Sequence, residues 1–494
     1  MWLFKGFMPS ALMMAAMAFL ASCGGGSGAS AAGGVSSSSS SSGGGGSTPP
    51  ANVTSRISID RNRAGQTLSG WEVTPRFWEF DKANNRYDPS WLSSRDAIVQ
   101  KLVDEAGITR VRVEVRSGVE NPVDYWTPFV AGQISYTAGR DHWYEKINDN
   151  SNAAIANASG FQWASFDYYI ENFVLPMRTR LAARNQTLSV NLCFVDFNWT
   201  ALKGSLSHSG SPDEYAEFMT LAAMRLRDKY GITPDALEII LEPDNGDGWS
   251  GQAIGRAIVA AKSRLAAAGF GPRFIAPSSS AAGATLGFLD GIGSVVGAAQ
   301  AVNVVAYHRY DGASADQSLS AIRQRAATLG AETAMLEYVD ASVQNFFKDM
   351  EFGGASAWQS YSAAKTASSA ASVGNGAILW RDPGGALALT PQFSRMALVQ
   401  REVKPGARAY YVAALLGSDM SLDFQNPDGS EVVAIYSASG STVEIAGAGH
   451  TAYDVTFAGP GGAAYTTATV TANGAGLIYV TIPAGTVAVL HSTN

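Results

Sequence analysis

The sequence predicts an α/β fold, a (β/α)8 barrel with a C-terminal antiparallel β-sandwich, and three observations carry that prediction. From about Val53, short β-branched runs alternate with amphipathic helical patterns, as in repeated βα units around a parallel sheet. After about Arg395 the helical patterns stop, and short strands divided by turn signals replace them. No Gly-rich phosphate loop follows any strand, which favours a closed barrel over a doubly wound open sheet.

The barrel strands are expected near Leu68–Val73 and at Thr109–Val115, Leu188–Val195, Leu237–Leu241, Arg273–Ala276, Val302–Ala306, Thr333–Tyr338 and Ala377–Trp380. Between them, Ser211-Pro212-Asp213-Glu214 reads as a capping box with proline at the first helical position. It opens a helix to about Tyr230 that Gly231 closes. Ser314-Ala315-Asp316-Gln317 opens another, stopped by Gly330, and Asp96–Ala106 places Ile98, Val99, Leu102 and Val103 on one face before Gly107. The sandwich strands are expected at Tyr410–Leu416, Ser421–Phe424, Glu431–Ser437, Thr442–Ala446, Ala452–Phe457, Tyr465–Val470, Gly476–Ile482 and Thr486–His491. Pro427-Asp428-Gly429 and Asn473-Gly474 supply turns between them.

Composition narrows the function classes. The 494 residues are 46% hydrophobic but only 16% charged, with 52 glycines and a net charge of −7 spread without runs. That excludes a basic nucleic-acid platform and an acidic disordered tail. Two cysteines exclude a disulfide scaffold or a Cys-built zinc cluster, and the five histidines show no ligand spacing, so no metal and no cofactor is expected. Eleven Trp and 18 Tyr in so weakly charged a chain suit a neutral, flat-faced partner.

The first fifty residues read as address and tether. Residues 1–22 carry one charge, Lys5, and an apolar run too short to span a membrane, as in a signal peptide. Leu20-Ala21-Ser22-Cys23-Gly24 is similar to a bacterial lipobox, which marks Cys23 for lipidation. Residues 23–50 are mostly Gly, Ser and Ala, a flexible linker that buries no core. The expected organisation is therefore signal peptide 1–22, lipidated cysteine and linker 23–50, and an N-terminal segment 51–68 joining the sandwich. A catalytic barrel 69–394 and a sandwich 395–494 follow. The expected protein is an extracytoplasmic monomer that meets a bacterial membrane only through its lipid, on the outer membrane or cell surface. With Cys23 acylated, Cys193 is the sole thiol, and its place between Leu192 and Phe194 reads as buried and inert.

Two glutamates close apolar strands: Glu242 after Leu237-Glu238-Ile239-Ile240-Leu241, and Glu337 after Thr333-Ala334-Met335-Leu336. A carboxylate there is costly to bury unless it is paired or used, and in such barrels catalytic residues lie at C-terminal strand ends. Two carboxyls facing each other across a barrel mouth are the equipment of glycoside hydrolysis, retaining when they stand ~5–5.5 Å apart. The alternatives are an inverting enzyme using Asp196 or Asp244, and a non-catalytic polysaccharide-binding surface lipoprotein on a decayed barrel.

Further residues carry a resemblance. Ile57-Ser58-Ile59-Asp60 followed by Gln66-Thr67-Leu68-Ser69-Gly70-Trp71 resembles the opening of glycoside hydrolase family 30. Glu242-Pro243 resembles the acid/base motif of the wider clan A barrels, and Glu337 their strand-seven nucleophile. Phe393–Gly406 is similar to that family's passage from last helix to sandwich. The sequence departs from the pattern at Leu241, where the clan has Asn, and at Gly70-Trp71-Glu72, which marks a divergent member. The resemblance implies a retaining β-glycosidase acting on a poly- or oligosaccharide, with Glu242 as general acid/base and Glu337 as nucleophile. It also implies a strand-two arginine, Arg112, that keeps the nucleophile ionised, and His308 or Tyr310 donating to it from strand six. Asn245 is a candidate for the missing amide. Trp380, at the expected end of strand eight, with Trp199 and Trp249, are candidate sugar platforms, and the aromatic insertion Gly118–Phe161 is expected to shape the subsites.

Overall fold

The computed structural model describes residues 50 and 52–493, apart from Trp78, Lys82, Asn375, Ala463 and Ala464. The expected signal peptide, Cys23 and most of the linker lie outside the described residues. Eight parallel strands close into a barrel: β1 (Gly70–Val73), β2 (Arg110–Arg116), β3 (Ser189–Val195), β4 (Ala236–Glu238), β5 (Arg273–Ser279), β6 (Val302–His308), β7 (Glu332–Glu337) and β8 (Ala355–Gln359). Closure comes where Trp358 of β8 pairs with Trp71 of β1. Gly70 opens β1 at φ 131°, and a Cβ there would strike the Thr109 and Arg110 side chains. Only glycine makes that turn.

The eighth strand corrects the expectation from sequence. Leu379–Arg381 is the middle strand of a separate three-stranded sheet, between Ala364–Thr366 and Leu387–Leu389. The true β8, Ala-Ser-Ala-Trp-Gln, is fully buried but contains no β-branched residue, so it lacks the usual strand signature. The helix Pro212–Tyr230 starts and stops where expected, with Gly231 left-handed at φ 62°. Ser211, however, makes no side-chain cap bond, so the capping box is not formed.

Strand β2 shows how the sequence aims side chains. In Arg110-Val111-Arg112-Val113-Glu114-Val115-Arg116 the valines pack into the main core. The alternate charged residues meet ionic partners: Arg110 pairs with Glu72 on the neighbouring strand, Arg112 with Glu337 of β7, and Glu114 with Arg76 just beyond β1. Smaller apolar side chains from the other strands, among them Ala236, Ile275, Ala306, Ala334 and Leu336, form a separate inner cluster.

The sandwich is one run of nine hydrogen-bonded strands. Its order is Tyr465–Thr471, Ala452–Ala458, Thr486–Ser492, Glu431–Ser437, Met420–Gln425, Arg408–Leu416, Ser55–Thr67, Ser441–Ala446 and Ile478–Ile482. Ser55–Thr67 pairs antiparallel with Arg408–Leu416 and parallel with Ser441–Ala446, so the domain is mixed at that point. Residues from both ends of the order, such as Val455 and Val480, share a core with Ile57 and Ile435, so the sheet folds over on itself. All seven residues of Glu431–Ser437 are buried. Val433 and Ile435 face the sandwich core, while Val432, Ala434 and Tyr436 join the barrel's core, which fastens the two domains together. Among the described residues no helix is long and apolar enough to cross a membrane.

Candidate active site

Glu337 is the last residue of β7, and Glu242 lies four residues beyond β4 on a chain that leaves the regular ladder. Its course is held by Ile239 N–H on Ile275 O (3.1 Å), Leu241 N–H on Phe194 O (2.9 Å) and Glu242 N–H on Ser278 O (3.0 Å). Glu242 itself sits at φ 48°, ψ 68°, a left-handed conformation that costs a non-glycine residue of order 1–3 kcal/mol and clusters at functional sites. A 3₁₀ turn, Pro243–Asn245, follows at once and brings the Asn245 side chain back onto the glutamate.

Each carboxylate oxygen has a partner. Glu242 Oε1 lies 2.9 Å from His308 Nδ1, and Oε2 accepts from Asn245 Nδ2 at 2.8 Å. Glu337 Oε1 accepts from the Tyr310 hydroxyl at 2.8 Å, and Oε2 is paired with the Arg112 guanidinium. Arg112 is completely buried and also donates to Leu336 O at 3.2 Å and to Glu114 at 3.3 Å, so one guanidinium serves both carboxylates. Gln359, at the end of β8, adds a 2.6 Å bond to the same Leu336 carbonyl.

The two carboxyls are driven apart. Burial works to raise Glu242, but the hydrogen bond and charge of His308, with Asn245 and Arg112, outweigh it and hold the group below the ordinary carboxylate range. At Glu337 burial, with the Glu242 charge added, outweighs Arg112 and His308 and pushes the group up. Burial works to lower His308, yet Glu242 and Glu337 raise its pKa above the usual imidazole value. Burial and the Glu337 charge push the Tyr310 phenol far up, which keeps it a hydrogen-bond donor. One ligand atom each from Glu242, His308 and Glu337 lies within 4.8 Å of the others, a spacing that a metal ion could use. The Arg112 guanidinium against Glu337 already supplies positive charge there.

Glu337 opens into a cavity of about 340 Å³, whose walls include Phe80, Tyr136, Trp143, Tyr144, Phe197, Trp199 and Tyr361. Trp199 is 47% exposed and meets Tyr144 edge-on at 5.3 Å between ring centroids. Arg116 lies 3.8 Å over the Trp143 ring, which stiffens that wall.

No family model matches the chain, and no curated protein matches it in sequence. Solved structures do match in shape. The catalytic domain of a family 30 xylanase C from Talaromyces cellulolyticus superposes with a TM-score of 0.63 at 14% identity, covering 89% of this chain and all of that one. A family 30 subfamily 8 xylanase from Clostridium acetobutylicum gives 0.61 at 15%, covering 89% and 100%. An endo-β1,6-glucanase gives 0.60 at 14%, covering 88% and 93%. The chain has a family 30-like glycoside hydrolase fold.

Within that fold the structure brings together Glu242, Glu337, Arg112, Asn245, His308 and Tyr310. His308 touches Glu242 rather than Glu337, so of the two strand-six candidates it is Tyr310 that donates to the strand-seven glutamate. Trp199 stands in the cavity wall. Trp249 does not: it is buried against Phe194 and Tyr215, its indole N–H on Asp196 at 3.1 Å. Trp380 is not on a barrel strand, and its indole N–H donates to Ala367 O at 2.8 Å. Asp196 is held by Ser117, Lys146 and Trp249, and Asp244 by the Ser280 amide and hydroxyl. Neither is placed like the Glu242–Glu337 pair. The sequence reading did not single out Arg76, Glu114, Phe80 or Tyr361, all of which line the cavity. Tyr361 follows β8 and was hidden with it, whereas Glu114 was legible as the carboxylate in the alternating charges of β2.

Proposed function

We propose that this chain is a retaining glycoside hydrolase that cleaves β-linked glycans by double displacement. The observation that supports the reading best is the carboxylate pair itself, with an oxygen of Glu242 within 4.8 Å of one of Glu337 beneath an aromatic cavity. That approach suits a retaining enzyme, whose carboxyls stand ~5–5.5 Å apart, better than an inverting one at ~6.5–9.5 Å. Glu337 attacks the anomeric carbon as the anion, which Arg112 and Tyr310 favour against the burial that raises its pKa. Glu242, held low by His308 and Asn245, takes up a proton before it protonates the departing oxygen and then activates water. His308, 2.9 Å from Glu242 and with its pKa raised by the two glutamates, is placed to pass a proton to Glu242. The aromatic walls offer flat faces to the C–H faces of sugar rings. The lipidated, tethered, extracytoplasmic placement belongs to the same reading and rests on the Leu20–Gly24 spelling and the Gly/Ser-rich linker.

A non-catalytic glycan-binding role is the second reading. It is favoured by Leu241, a buried aliphatic residue in the cavity wall where clan A enzymes carry an amide. A panel of xylan, β-glucan and galactan separates the two. The enzyme reading expects cleavage of one of them and, in Glu337→Gln, a loss of roughly three or more orders of magnitude in kcat with retained binding. Retention without cleavage by the unmodified chain supports the binder.

A further inference from the structure

Lys146, in the aromatic insertion, is completely buried and touches neither Glu242 nor Glu337. Its ammonium lies 2.9 Å from Asp196 Oδ1 and 2.9 Å from Asp247 Oδ2. Burial works to lower its pKa, but the two aspartates outweigh it and keep the group charged. Burying an ammonium is costly even when it is paired, and apolar side chains of similar volume often stabilise as well. What such a pair fixes is position.

Three loops meet at this lysine. Asp196 directly follows β3, and Asp247 lies just past the 3₁₀ turn Pro243–Asn245 that follows Glu242. Those two loops run antiparallel. Phe197 bridges Gly246, Asn198 N–H donates to Asn245 O at 3.0 Å, and Asp247 N–H donates to Asp196 O at 3.0 Å. Lys146 holds one carboxylate from each side of that short ladder. Its backbone ties in the third loop, with its N–H on Lys203 O at 2.9 Å and its carbonyl accepting from Ser205 N–H at 2.9 Å. Gly204 packs on that carbonyl at φ 73°, where a Cβ would collide with the oxygen, so glycine is required for the loops to close.

The two arms differ in how firmly they are held. Asp196 is also fixed by the Ser117 hydroxyl at 2.8 Å and the Trp249 indole N–H at 3.1 Å, so its loop, with Phe197 and Trp199 of the cavity wall, has anchors besides Lys146. The Asp247 side chain is 39% exposed and reaches inward to Lys146. Its loop carries Asn245, whose side chain donates to Glu242 Oε2 at 2.8 Å. On the enzyme reading given above, on which this rests, we propose that Lys146 is a positioning residue: through Asp247 it registers the Asn245 turn against the β3 loop and so sets Asn245 on the acid/base Glu242.

Kinetics of the full chain on the panel glycan it cleaves test this, with Tm measured alongside. Asp247→Ala, at a partly exposed position, is expected to lower kcat roughly 10- to 100-fold, with KM changed less than about twofold because the wall keeps its own anchors. Asn245→Ala is expected to do the same, and the double variant to be no slower than Asn245→Ala alone, since both substitutions remove one contact. Lys146→Met is expected to be at least as slow as Asp247→Ala; the Asp247→Ala and Asn245→Ala set decides the matter even if that variant does not fold. An unaltered kcat in Asp247→Ala overturns the proposal, as do losses that multiply in the double variant. A joint fall of kcat, KM and Tm also overturns it, since it marks a merely structural pair. No cleavage by the unmodified chain overturns the enzyme reading and this proposal with it, whereas cleavage unaffected by Asp247→Ala overturns this proposal alone.

Discussion

The barrel mouth and the sandwich each hold an arginine between two carboxylates, with a tyrosine hydroxyl on one of them. In the sandwich Arg61 meets Asp423 and Glu431, and Tyr453 donates to Glu431 at 2.7 Å. In the barrel Arg112 meets Glu114 and Glu337, and Tyr310 donates to Glu337 at 2.8 Å. The chemistry of the two clusters is nearly the same, and their settings are not. Asp423 and Glu431 sit on regular paired strands with side chains 0% and 1% exposed, although a hollow of about 540 Å³ runs past the Asp423 strand. Glu337 is 10% exposed and opens on the aromatic cavity, and Glu242, at its side, stands on strained backbone outside the ladder. A buried charged cluster therefore does not mark a site by itself. Access, a neighbouring carboxylate and irregular backbone separate the barrel cluster from the sandwich one.

The comparison breaks first at Arg61. Arg61→Ala leaves two buried carboxylates uncompensated and is expected to cost about 3–5 kcal/mol of stability, read from urea unfolding, with kcat/KM unchanged while the chain is folded. A fall in kcat/KM at a temperature where the variant is fully folded gives the sandwich cluster a part in catalysis.

His308→Asn sharpens the barrel side. A hydrogen bond to a charged group contributes roughly 1.5–3 kcal/mol, so a loss of roughly 10- to 100-fold in kcat/KM is expected. The pH profile carries the sign. His308 is raised and Glu242 lowered, so their pair is intact from above Glu242's depressed pKa up to His308's elevated one. Its stabilisation is lost as pH falls through the first and as pH rises through the second. Without the imidazole, the basic limb of kcat/KM should move to lower pH, toward an unassisted Glu242. A basic limb left in place removes His308 from the proton's path.

Trp199→Ala is the mildest test. An aromatic face contributes roughly 0.5–1.5 kcal/mol, so KM should rise about 2- to 13-fold with kcat nearly unchanged. An unaltered KM takes the Trp199 wall out of substrate contact.

Much of this was legible in the sequence because the physical signals were strong. The alternation in Arg110–Arg116 and the apolar run in Glu431–Ser437 are strong strand signals, and a glutamate closing an apolar run is conspicuous at both Glu242 and Glu337. Legibility failed where tertiary burial replaced local propensity. Ala355–Gln359 is a strand because its neighbours enclose it, so the expected eighth strand fell on Ala377–Trp380, which put Trp380 forward and left Tyr361 out. Trp249 failed for another reason: composition cannot tell a platform indole from one whose N–H is satisfied in the core by Asp196.

The central claim is that Glu242 and Glu337 act together as a retaining pair, and the anomeric configuration of the first-formed product tests it most directly. Proton NMR during the earliest turnover of a cleaved β-glycan should show the β-anomer first, with the α-anomer appearing only by mutarotation. An α-anomer formed first contradicts the account.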